Sequence, residues 1–131
     1  MILTTTDFLF FSWFIPFILL FFSMICFHEV GHLLYFWIIL KRKVKPYFFF
    51  ESIKCFGIRI GKEEDYFYLT KTQNINLYVA GIVSGFIPNL IYIPTEIKGF
   101  VILIVSSILY IAGCSTDIKN IIKLKKENGI L

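Results

Sequence analysis

Three long apolar stretches separated by compact clusters of charge set the plan of this chain. The first covers residues 8–40 and is interrupted by ionisable side chains only at Cys26, His28, Glu29, His32 and Tyr35. As a single helix it would be about 50 Å long, against a hydrocarbon core of about 30 Å. Pro16 marks a kink or the start of the regular helix, so a span is expected over about 16–40, with residues 8–15 in the interface. Lys41, Arg42, Lys43 and Lys45 end it abruptly. A second span is expected over about 76–94 and a third over about 99–118, joined by a tight loop at residues 94–98. Lys119, Lys123, Lys125 and Lys126 follow the third.

The segment after the first span has a different rhythm. Residues 46–50 and 53–60 are rich in aromatic and β-branched side chains, with Gly57 and Gly61 as punctuation, which predicts a β-hairpin insert over about 46–61. Residues 62–65 read as a solvated turn, and residues 66–73 lead back to the membrane. The expected fold is therefore mainly α and integral to the membrane, one domain over 1–131, with three transmembrane helices and a small hairpin after the first.

Composition supports that class. Apolar residues make up 57% of the 131 and charged residues 17%, well below the roughly 25% of a soluble domain. The net charge of +4 does not point to nucleic acid, because the thirteen basic residues lie mostly between the apolar runs, where lipid headgroups meet them. Eight of the thirteen fall between the first two spans (Lys41, Arg42, Lys43, Lys45, Lys54, Arg59, Lys62, Lys71). By the positive-inside rule this segment and the C-terminus face the cytoplasm and the N-terminus faces outward, in a plasma membrane. The three cysteines (Cys26, Cys55, Cys114) give no paired spacing and read as buried thiols. Residues 1–7 contain no Lys or Arg, so the N-terminus lacks the basic region of a signal peptide and reads as retained.

The candidate chemistry lies in the first span. His28-Glu29-Val30-Gly31-His32 is a His-Glu-x-x-His motif, and residues four apart on a helix share a face. Two imidazoles so placed can bind one zinc ion, and Glu29 can take a proton from a zinc-bound water. These are the chain's two histidines. Of its nine acids, only Glu29 and Asp117 fall within or at the edge of a span. An ionised carboxylate at the bilayer centre costs about 2.5–3.5 kcal/mol, so each needs a partner. A cation held by His28 and His32 would serve both, which makes Asp117 the candidate third ligand, with Cys114 the best substitute. Ser106, Tyr110, Gly113 and Asp117 are expected on one inward stripe of the third helix. Lys119 lies so close to Asp117 that it must snorkel, or the third helix must sit deeper.

On the second helix, Gly81, Ser84, Gly85 and Pro88 form a face of small residues suited to close helix packing. Lining a substrate channel is its second possible role. Asn89 reads as a buried polar contact or a transition-state stabiliser, and Tyr35 as an interfacial aromatic.

These motifs, taken together, resemble the site-2 protease family of intramembrane zinc metalloproteases, in a short form close to its three-helix core. The resemblance rests on His28-Glu29-Val30-Gly31-His32, then Ala80-Gly81-Ile82-Val83-Ser84-Gly85, then Asp117, and covers about residues 16–120. Asp117 is followed by Ile118, where the family usually carries glycine, and the usual Asn-Pro lead-in is absent. The resemblance implies hydrolysis of a peptide bond in or near the membrane segment of a substrate protein. It implies one zinc ion on His28, His32 and Asp117, with Glu29 as the base. Strands over 47–60 could capture an extended substrate by edge pairing. Two other readings stand beside it: a membrane protein that keeps zinc without turnover, and a small ion-handling or immunity-type membrane partner.

Overall fold

The opening helix starts earlier than its proline suggests. In the computed structural model, which describes residues 2–53, 55–127 and 129, helix α1 runs Thr5–Leu34. Thr4 caps it: the Asp7 amide donates to Thr4 Oγ1 at 3.2 Å, and Asp7 Oδ2 accepts from the Thr4 amide at 2.9 Å. The helix passes through Pro16 without ending, so the expected boundary at residue 16 is corrected to Thr5. The strong cap and the apolar environment of the turns on either side outweigh the one backbone hydrogen bond that proline removes.

At its other end α1 continues as a π-helical turn, Tyr35–Ile39. Lys41 then adopts the left-handed conformation (φ 55°), and the Arg42 amide closes back on the Phe36 carbonyl at 2.9 Å. This Schellman-type closure is what stops the span at the basic cluster.

Strands β1 (Pro46–Ser52) and β2 (Cys55–Ile60) pair antiparallel, with Tyr47 opposite Arg59 and Phe49 opposite Gly57. The insert is thus the hairpin that the sequence predicts, and Lys54 within it lies outside the described residues. The expected turn at 62–65 is instead a short helix, α2 (Glu63–Phe67), whose start is set by Asp65 Oδ2 accepting from the Lys62 amide at 2.6 Å.

Helix α3 (Lys71–Ser84) opens on a Thr70–Gln73 capping box and runs on, past a break at Gly85 and Phe86, into α4 (Ile87–Ile91). The second helical segment long and apolar enough to span a membrane is therefore Lys71–Ile91, beginning before the expected residue 76. The third departs further. Helix α5 (Ile97–Gly113) ends at Cys114, and α6 (Ser115–Glu127) leaves at 51° to it. Cys114 has ψ near 5°, a conformation that turns the chain out of the helical path. Ser106, Tyr110 and Cys114 follow one another at steps of four and are buried, while Gly113, expected on the same stripe, is exposed.

The described chain is mainly helical, 72%, with one two-stranded antiparallel sheet. Two of its helices are long and apolar enough to cross a membrane, and three if the bent pair α5–α6 forms one span. Two apolar clusters hold them together. One joins Phe36, Val44, Ile60 and Leu77 beneath the hairpin, and the other joins Met24, Tyr110 and Cys114 inside the bundle. Helix α1 packs on both α3 and α5, and α6 folds back along α3.

Candidate metal centre

Met24, His28, His32 and Phe36 recur at steps of four along one face of α1, so the two imidazoles sit between the two apolar clusters. Asp117, on the first turn of α6, meets them there. Its Oδ2 lies 2.9 Å from His28 Nε2 and 3.4 Å from His32 Nε2, and the two Nε2 atoms are 3.0 Å apart.

The outer partners of the rings decide what those three atoms are. His32 Nδ1 lies 2.9 Å from the Leu77 carbonyl oxygen, which can only accept, so Nδ1 carries the proton. His28 Nδ1 lies 2.8 Å from the Tyr110 hydroxyl. That hydroxyl donates to the Ile82 carbonyl at 3.0 Å, and so it accepts from His28 Nδ1–H. When the rings are neutral, each turns an unprotonated Nε2 towards Asp117. Three lone-pair donors face one another, and Asp117 Oδ2 is buried without a hydrogen bond. A positive charge between them, a shared metal ion or the proton of an imidazolium, relieves that repulsion.

The spacing agrees. Tetrahedral ligation by nitrogen and oxygen at 2.0–2.2 Å places ligand atoms about 3.3 Å apart, close to the 2.9, 3.0 and 3.4 Å found. His28, His32 and Asp117 thus form a group that could hold a metal ion.

Small residues admit the rings. A Cβ at Gly81 would run into the His32 imidazole, one at Gly85 into the Tyr110 phenol, and one at Gly31 into Ser84 and the Ala80 carbonyl. Gly81, Ser84 and Gly85 therefore set the distance of α3 from α1 and α5. Asn89 lies apart, donating from Nδ2 to Ser107 Oγ at 2.7 Å, and ties α4 to α5. None of these four lines the cleft over the metal group.

That cleft has a volume of about 600 Å³. Its floor includes His28, Glu29, His32 and Asp117, and its opposite wall is the hairpin, through Phe49, Ile58 and Arg59. The Arg59 guanidinium lies 5.1 Å from the Phe49 ring centre, which holds that wall in shape. Tyr66 closes one side. Its hydroxyl donates to the Ile60 carbonyl at 2.6 Å, and burial raises its pKa well above the ordinary phenol range, so it stays protonated.

Sequence reasoning placed Tyr110 on an inward stripe but gave it no role, and it did not find the Leu77 carbonyl, Arg59 or Tyr66. Tyr110 had a usable signal, since a phenol inside an apolar helix needs a polar partner. The Leu77 carbonyl had none, because every residue carries one. Cys114 Sγ lies 3.7 Å from His28 Nδ1, behind the ring and away from the ligand atoms. Compared with protein-family models, with curated proteins and with solved structures, the chain matches none.

Proposed function

We propose that this chain is an intramembrane zinc endopeptidase of the site-2 protease type, hydrolysing peptide bonds in or near the membrane segment of a substrate protein. The observation that carries the reading is the convergence of His28, His32 and Asp117 on one point, in a cleft that also contains Glu29. His28, His32 and Asp117 would hold one zinc ion, which when bound supplies a Lewis acid that polarises the scissile carbonyl. Glu29, one residue from the first ligand, takes a proton from the attacking water and returns it to the leaving nitrogen. Leu77 and Tyr110 keep both imidazoles in the tautomer that offers Nε2. The hairpin wall receives the substrate as an extended strand, since a helical segment has its carbonyls engaged and must unwind before attack. In this reading the protein sits in the plasma membrane with the N-terminus outside and the hairpin and C-terminus cytoplasmic.

The test compares wild type with Glu29→Gln in detergent-purified form, measuring cleavage of a membrane-segment reporter and zinc content by atomic absorption. The expected outcome is one zinc per chain in both, with cleavage lower by about 10³-fold in the variant. Cleavage unaffected by the substitution overturns the enzyme reading. Zinc held by both without any cleavage favours a zinc-binding membrane protein that lacks turnover.

A further inference from the structure

A single outward track runs down the third helical segment and changes character at its bend. On α5, Ile104, Ile108 and Ile111 are exposed; on α6, Ser115, Lys119, Ile122 and Lys126 continue the line. Within each helix these positions follow one another at steps of three and four, so α5 presents an outward apolar face and α6, beyond the bend, an outward basic one. Lys123 stands beside them. Lys119, Ile122, Lys123, Lys126 and Glu127 enclose a groove of about 390 Å³.

The opposite face of α6 is already occupied: Ile118, Ile121 and Leu124 are half-buried on the side where α6 packs along α3. Among the described residues, Lys119, Lys123 and Lys126 form no ion pair, while Glu127 Oε2 lies 3.7 Å from Lys71 Nζ. Three unneutralised ammonium groups thus face outward at the point where an exposed hydrocarbon face ends.

We propose that this track is a docking site for an anionic glycerophospholipid. Its acyl chains lie along Ile104, Ile108 and Ile111, and its phosphate sits in the groove between Lys119, Lys123 and Lys126. Charge complementarity selects the headgroup, and the apolar half of the same face selects a lipid over a free phosphate ion. The proposal is independent of any catalytic activity.

The experiment uses the full chain in micelles doped with equal amounts of phosphatidylglycerol and phosphatidylcholine, and counts retained lipids by native mass spectrometry. Wild type is expected to retain phosphatidylglycerol about ten-fold over phosphatidylcholine. Lys119→Gln/Lys123→Gln/Lys126→Gln should abolish the preference with helicity unchanged by circular dichroism, and Lys123→Glu alone should lower it at least three-fold. The matched set Lys41→Gln/Arg42→Gln/Lys43→Gln, which removes the same charge elsewhere, should leave most of it. Equal retention of both lipids by wild type, equal loss in the two triple variants, or displacement of the lipid by excess inorganic phosphate overturns the proposal.

Discussion

Helix α1 and the α5–α6 arm both deliver ligands to the same point, and they do so by opposite means. His28 and His32 belong to one unbroken helix; the His32 ring fits against α3 only because residue 81 is glycine, and His28 meets Tyr110 of α5, whose ring fits against α3 only because residue 85 is glycine. Asp117 comes from beyond a 51° break, on a short helix bearing four lysines, and its Oδ2 has no hydrogen bond to hold it. One half of the centre is built into the packing. The other half reaches the centre across a bend, on a helix that packs along α3. Two imidazoles on one helix and one carboxylate from beyond a bend make a group that could hold a metal ion, and binding of that ion would couple the two arms.

Removing a ligand gives the largest test of that contrast. His32→Ala should reduce metal content to background by atomic absorption, whereas Asp117→Ala should leave weak residual binding, with affinity lower by roughly 100-fold. Equal loss in both would mean that the two halves do not differ. Chelation of the metal probes the same point without mutation. Amide exchange across residues 115–127 should accelerate about 100-fold, while residues 27–34 stay protected. Uniform acceleration would break the comparison.

Smaller effects sharpen it. Gly81→Ala drives a methyl into the His32 ring and should weaken metal binding about 10- to 100-fold, although the residue contacts no ion. Tyr110→Phe keeps the aromatic packing and removes only the oxygen that accepts from His28. A loss of about ten-fold in metal affinity is expected, with the thermal midpoint nearly unchanged. A large drop in stability would assign Tyr110 to the core alone.

The two halves also differed in how far they could be read from the sequence. His-Glu-x-x-His is a local pattern: helical periodicity alone puts both rings on one face, and their cost in an apolar segment marks them. Asp117 was found by that cost, but its position was not. A straight third helix left Lys119 too deep, and nothing in the order Gly113-Cys114-Ser115 announces a sharp bend. The hairpin was visible because alternation and glycine are local signals. Its position as a wall of the cleft was not, since that follows from β2 packing against α1, a contact distant in sequence. The glycines of α3 read correctly as a close-approach face, but only the fold shows that what approaches Gly81 is a ligand ring.

The continuity of α1 through Pro16 carries a mechanical corollary. A rod of 35 residues extends about 52 Å, and even at a steep 40° lean in a bilayer it would rise about 40 Å, some 10 Å more than the hydrocarbon core. If α1 spans a bilayer, its aromatic first turns would then press into a headgroup layer or thicken the leaflet around them. Because the same rod carries both imidazoles, bilayer thickness becomes a lever on the depth and lean of the centre. Short-chain and long-chain lipids should hold it at different levels in the membrane.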